Sequence, residues 1–205
     1  AMQLFGYSKD QLVVLIMQMV RLIKDGKEFK MSKRSGNSLT LSDLIETIGK
    51  DAARWYLVSQ PMATHLEIDI NKALSKNNDN PLYYVQYAHA RINQLLNKRE
   101  YGMKREYDIV TDFSLLTSEY EKEIINQLLI YSRTLKNIAK TYEVNKLTLY
   151  LYNLAKAFHS FYANSKIIDD TNETLSRQRY WLCVCVKQVI TNGLKLMSIE
   201  PLDKM

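Results

Sequence analysis

The sequence predicts an all-α protein, a bundle of long amphipathic helices preceded by a short β-hairpin. Three observations carry this. Apolar residues recur at helical spacing over the last half of the chain. Only 6 Gly and 3 Pro occur in 205 residues, too few for an all-β fold stitched by tight turns. The one low-charge stretch rich in β-branched residues lies near the start, and an Asp-Gly pair follows it.

That opening stretch, from Leu12 to Ile23, meets Lys24–Asp25–Gly26–Lys27. Asp-Gly between two short runs is a strong hairpin signal. A strand is expected over about residues 14–23, a turn at Asp25–Gly26 and a short return through Glu28 and Phe29. A lone hairpin is marginal in water, so these strands read as the edge of a sheet whose other strands lie upstream. The chain is therefore expected to be a C-terminal piece of a longer protein, with Ala1 a cloning remnant.

After Gly36 the pattern turns helical. Thr40 or Ser42 can cap a helix carrying Leu44, Ile45 and Ile48, stopped by Gly49. A second helix runs from Asp51 to about Ser59, ended by Pro61. Residues 62–70 read as an irregular or extended connection. A third helix has Pro81 in its first turn and reaches about Lys98. A loop over about residues 100–114 follows, and then three long helices. In the first, roughly Ser118–Thr141, Ile124, Leu128, Tyr131, Leu135 and Ile138 form one stripe. In the second, roughly Asn145–Ser165, Leu147, Leu151, Leu154, Phe158 and Phe161 face inward. In the third, roughly Glu173–Asn192, Leu182, Val186, Val189 and Ile190 do so, with Gly193 as a stop. Helices joined by short turns make a bundle.

Composition narrows the function. Hydrophobic residues are 46% and charged residues 24%, ordinary for a globular chain. Lys and Arg number 28 against 22 Asp and Glu, a net charge of +6, which is compatible with a polyanionic partner. Cys183 and Cys185 are too few for a disulfide framework or a four-thiolate zinc site. They read as two small buried thiols in a reducing compartment. The longest apolar run, Leu12 to Met17, is far short of the ~20 residues that span a bilayer, and no signal peptide is evident. A cytoplasmic protein is expected.

Two stretches hold candidate chemistry. Between Arg21 and Gly36 lie six Lys or Arg against one Asp and one Glu. Within it, Lys30–Met31–Ser32–Lys33–Arg34 is a cationic, donor-rich loop suited to phosphate charge; the plain alternative is a solvated basic turn. The second stretch runs from Asn80–Pro81 to Arg91. On a helix, Val85, Ala88, Ile92, Leu95 and Leu96 share one side, while Tyr83 and Tyr87 lie away from it and Tyr84 and Arg91 flank it. Rings interleaved with cations suit unpaired bases and their phosphates. Packing against a neighbouring helix is the favoured reading for Tyr84 and an equal one for Tyr87. His89 reads as a core histidine or a structural hydrogen bond, whereas His159 and Tyr162, three apart on one face, can meet a ligand. The three histidines have no metal-like spacing, and no metal site is expected.

Four stretches together resemble the C-terminal part of arginyl-tRNA synthetases, a family of class I aminoacyl-tRNA synthetases. Lys30–Met31–Ser32–Lys33–Arg34 resembles the second class I motif, usually written KMSKS, with Arg34 where that motif has its last Ser. Gly49–Lys50–Asp51–Ala52–Ala53–Arg54 resembles the helix that follows. NPLYYVQYAHAR, from Asn80 to Arg91, is similar to the opening of the family's anticodon-binding domain. Ala157–Phe158–His159–Ser160–Phe161–Tyr162 and the ending Pro201–Leu202–Asp203–Lys204–Met205 resemble the family's last helices and C-terminus.

The resemblance implies a hairpin remnant of a Rossmann-type catalytic domain with the KMSK-type loop over 1–36, connecting helices over 37–79, and a helical anticodon-binding domain over 80–205. It implies ATP, with Mg, as substrate of a full-length arginine–tRNA ligase, with Lys30, Met31, Ser32, Lys33 and Arg34 at the phosphates and Lys30 and Lys33 catalytic. It implies arginine tRNA as partner, with Tyr84, Tyr87, Arg91, His159, Tyr162 and Met205 at the RNA. A monomer is expected. The family's nucleotide-binding core and arginine pocket are not in this stretch, so the 205 residues alone are expected to be inactive. The competing reading is a free-standing helical module that binds a protein, or an RNA, through its tyrosine-rich face.

Overall fold

A computed structural model describes residues 2–29, 40–97 and 112–205. Two short 3-10 turns, Met2–Phe5 and Lys9–Gln11, lead into β1 (Val20–Lys24) and β2 (Lys27–Glu28). Then follow α1 (Leu41–Ile48), α2 (Lys50–Val58), β3 (Leu66–Asp69) and α3 (Ile70–Leu74). The bundle is α4 (Pro81–Asn97), α5 (Glu119–Thr141), α6 (Asn145–Asn164) and α7 (Glu173–Leu196).

The hairpin turns where Asp-Gly predicts it. Asp25 and Gly26 have φ of 52° and 73°, the paired left-handed geometry of a tight hairpin, and Lys24 faces Lys27. The strand itself is shorter than expected, starting at Val20 and not near residue 14. Its main partner also differs: β1 pairs in parallel with β3 downstream, Val20 opposite Leu66 through Ile23 opposite Asp69, in the order β2-β1-β3. The connection expected over 62–70 therefore contains a strand and the start of a helix. Leu22, Leu66 and Ile68 point into the core while Arg21 and Glu67 are exposed, the alternation of a half-buried sheet. Leu12 to Met17 remain exposed, because among the described residues no neighbouring strand covers them; β-propensity expresses packing against a neighbour more than an intrinsic preference.

Thr40 caps α1 with a reciprocal capping box to Asp43, and Gly49 closes α1 and opens α2. Asn80 anchors the start of α4. Its Nδ2 donates to the carbonyls of Ala73 (2.9 Å) and Ser75 (3.0 Å), and its Oδ1 accepts from the N–H groups of Leu82 (3.1 Å) and Tyr83 (3.3 Å). Pro81 then occupies a first-turn position that needs no donor. The Asn-Pro pair thus ties the connecting segment to the bundle.

In the bundle, α4 packs on α6 and α7, and α5 packs on the same two helices. The expected inward residues of α6 are all buried, with Leu151, Leu154, Phe158 and Phe161 fully so. On α5 only Ile124 of the stripe is fully buried; Leu128, Tyr131, Leu135 and Ile138 lie half-covered on the core. Leu154→Ala is accordingly expected to cost about 2–5 kcal/mol, and Leu128→Ala distinctly less; urea unfolding midpoints of the two variants check the order.

Two further expectations are corrected. Gly193 does not stop α7, which continues to Leu196. A Cβ on Gly193 would sit 2.6 Å from Leu151 Cδ2, so this glycine lets α7 approach α6. Of the two thiols, Cys183 is buried but Cys185 is exposed. Among the described residues no helix is long and apolar enough to cross a membrane.

Candidate nucleic-acid interface

Five of the six residues expected at the RNA come together where α4 meets α6. Tyr83 and Tyr87 are four apart on α4 and stack with ring centroids 6.1 Å apart. Tyr87 also stacks with His159 of α6, at 5.6 Å. Tyr84 sits against His159 at 4.5 Å and Tyr152 at 5.3 Å. Arg91, one turn beyond Tyr87, places its guanidinium 4.4 Å from the centroid of Tyr87 and 4.7 Å from that of Tyr162. It also donates to the Tyr87 hydroxyl.

The electrostatics follow from this packing. Desolvation pushes the His159 pKa down to about 4, with the Arg91 charge a smaller cause in the same direction. At neutral pH the ring is uncharged. Its Nε2–H donates to the Tyr84 carbonyl, 3.3 Å away, because a carbonyl can only accept. Burial likewise raises the Tyr84 hydroxyl pKa, so it remains protonated. Among the described residues the only cation within the cluster is Arg91, held between two rings and fixed before any ligand arrives. Tyr162 is 38% exposed and is the ring most open to a base. Tyr87 is half-buried, more enclosed than its position away from the apolar stripe predicts, since α6 covers it.

Met205 shares a cleft of about 630 Å3 with Tyr83, Gln86 and Lys204 but with none of the other five expected residues. Three side chains of α4 hold the C-terminal tail there. Gln86 Nε2 donates to the Glu200 carbonyl (3.0 Å) and Asn93 Nδ2 to that of Asp203 (3.2 Å). Between them, His89 Nδ1–H donates to the Leu202 carbonyl (2.8 Å), and its Nε2 lies 2.9 Å from the Thr191 hydroxyl. Desolvation lowers the His89 pKa as the largest cause. His89 is thus structural, in keeping with the sequence reading.

Tyr83 and Tyr152 complete the site and were not among the expected RNA contacts. For Tyr83 the signal was present, one turn before Tyr87. For Tyr152 it was not, since only the crossing of α4 and α6 reveals it. Lys30, Met31, Ser32, Lys33 and Arg34 lie outside the described residues. Among the described residues no three His, Cys, Asp or Glu side chains gather as a metal site.

The molecule is thus a helical bundle, α4 to α7, that carries a ring-and-guanidinium cluster across two of its helices. The DALR anticodon binding domain model matches residues 85–205, and the chain belongs to that family. It is 53% identical to an arginine–tRNA ligase of Ureaplasma parvum, over 100% of this chain and 36% of that protein. To the Bacillus subtilis arginine–tRNA ligase it is 39% identical, over 100% of this chain and 37% of that protein. The chain therefore spans little more than a third of the length of these relatives. A Campylobacter jejuni protein described as an arginyl-tRNA synthetase superposes with a TM-score of 0.87 at 32% identity, covering 100% of this chain and 43% of that one.

Proposed function

We propose that this chain binds the anticodon arm of arginine tRNA, and that the full-length protein carrying it is a cytoplasmic, monomeric arginine–tRNA ligase that consumes ATP with Mg. The observation that carries the reading is the clustering of Tyr83, Tyr87, Arg91, His159 and Tyr162 on one face. Splayed bases stack on Tyr162 and on the outer edge of the tyrosine stack, and Arg91 meets a phosphate or a base edge from a fixed position. Met205, presented by the tail along α4, is a further contact beside Tyr83. In this reading residues 80–205 form the RNA-binding domain, 37–79 connect it, and 1–36 belong to the catalytic unit. There Lys30 and Lys33 stabilise charge on the ATP phosphates as arginyl-adenylate and pyrophosphate form, with Met31, Ser32 and Arg34 completing the loop.

Tyr162→Ala tests the interface with least disturbance to packing. A stacked base is worth ~1–3 kcal/mol, so affinity for arginine tRNA is expected to fall about tenfold while the melting temperature barely moves. Tyr162→Phe retains the ring and is expected to bind normally. Tyr87→Ala, being half-buried, is expected to lower both affinity and stability. Unchanged tRNA affinity in Tyr162→Ala and Arg91→Ala would remove this face from RNA recognition.

A further inference from the structure

A second surface lies in the groove between α5 and α6, an open cleft of about 1000 Å3. Arg133, Lys136, Lys140 and Lys146 line it, and no carboxylate does. The three α5 cations are spaced at i, i+3 and i+7, which places them on one stripe of the helix, and all three are exposed. Among the described residues, none of the three forms an ion pair. Lys146 is partnered by Glu143, at the turn into α6.

We propose that this groove carries the phosphate backbone of the same RNA whose unpaired bases meet the α4–α6 cluster, so that RNA follows α6 from one site to the other. The proposal rests on the RNA reading above and adds a surface to it. Continuity favours RNA over an acidic protein segment. Leu149 and Asn153, which line the groove, share the solvent side of α6 with Lys156, and all three are exposed. Lys156 lies between them and His159 and Tyr162. From Lys146 to Tyr162 is about 24 Å along the axis at ~1.5 Å per residue. A ligand covering that span must present anions in series at one end and flat rings at the other. An RNA strand supplies both along one regular backbone, with a phosphate and a ring at every residue, whereas an acidic peptide does so only where its own sequence sets aromatic residues at the required distance from its carboxylates. Asn137 and Asn153 add amide donors in the groove, suited to phosphate oxygens and ribose hydroxyls.

The test uses the full-length protein and its arginine tRNA, with affinity measured against salt concentration. Each phosphate contact contributes ~0.7–0.9 to the slope of log affinity against log salt. Arg133→Glu/Lys136→Glu/Lys140→Glu is expected to lower affinity at least tenfold near 0.1 M salt and to flatten the slope by about 2–3. Arg133→Gln/Lys136→Gln/Lys140→Gln, which adds no repulsion, should flatten it by about the same amount. Circular dichroism and melting temperature identify any variant that fails to fold, and these exposed positions are expected to leave both unchanged. Tyr162→Ala, in contrast, should lower affinity without changing the slope. If the Gln variant keeps the parental affinity and slope while Tyr162→Ala still weakens binding, the groove proposal fails and the anticodon reading stands. If neither variant changes tRNA binding, both fail. If the Gln variant keeps tRNA binding but loses a synthetic Leu/Glu amphipathic peptide that the parent binds, the groove is a protein-docking surface and the proposal is overturned.

Discussion

Arg179→Ala is expected to destabilise the bundle by about 3–5 kcal/mol. Glu121, in the first turn of α5, is 1% exposed. Its Oε2 accepts the Ser118 N–H at 2.8 Å, closing a capping box. Its Oε1 accepts from Arg179 Nε of α7 at 2.6 Å, and Arg179 also donates to the Lys166 carbonyl at 2.8 Å. The pair thus fastens the start of α5 to α7 and to the α6–α7 connection. Two charges taken out of water gain little net stability as a pair, but removing one leaves the other buried without compensation. Loss of Arg179 leaves Glu121 with a single neutral donor. Chemical unfolding of Arg179→Ala measures the effect. The double variant Arg179→Met/Glu121→Gln is the control, since removing both charges should recover most of the loss. A loss under about 1 kcal/mol in Arg179→Ala would mean that solvent reaches the carboxylate and that the pair is ornamental.

That ion pair illustrates which features can be read along a chain and which cannot. Ser118 and Glu121 are three apart, and the capping box they form is a local signal. Arg179 is 58 residues further on, and nothing in its neighbourhood marks it as a buried partner. The same division runs through the molecule. The hairpin turn at Asp25–Gly26, the cap at Thr40, the start of α4 at Pro81 and the inward faces of α6 and α7 all follow from local spacing, because each depends on residues within a few turns. β3 was hidden because Leu66–Glu67–Ile68–Asp69 shows only two cycles of alternation, and its identity as a strand comes from β1, more than forty residues earlier. Gly193 has the residue type of a helix stop, yet its cause is Leu151 on another helix. At the site, the flank of α4 bearing Tyr87 and Arg91 was legible, and so was the pairing of His159 with Tyr162 on α6. That these two faces meet, and that Arg91 lies between a ring from each, is a product of the α4–α6 crossing. Met205 likewise owes its place to Gln86, His89 and Asn93, which hold the tail from i, i+3 and i+7 positions on α4.

Lys33→Ala in the full-length protein is expected to slow arginyl-adenylate formation by about 10²–10³ while leaving the affinity for arginine tRNA unchanged. The expectation rests on the ligase reading and on the chemistry of the loop. Two lysines three apart, with a serine between them, follow directly on the β1–β2 hairpin, whose register is fixed by the Asp25–Gly26 turn and whose β1 strand is held by β3. The structure described here thus anchors the chain immediately before Lys30. Adenylate formation needs no protein nucleophile, since the arginine carboxylate attacks the α-phosphate and pyrophosphate departs with the negative charge. The groups that matter are cations positioned where that charge develops, and removing one such group costs on the order of 10²–10³ in rate. A lysine suits the role because its point charge on a flexible stem can follow a moving phosphate. Arginine-dependent ATP–pyrophosphate exchange, measured with arginine tRNA present, gives the rate, and filter binding gives the tRNA affinity. The separation of the two effects is the diagnostic result. A mutation that merely weakened RNA binding would lower the tRNA affinity and leave the saturated exchange rate alone. A saturated exchange rate within about twofold of the parent would show that Lys33 is a solvated basic residue, and Lys30 alone would then have to be tested for the phosphate role.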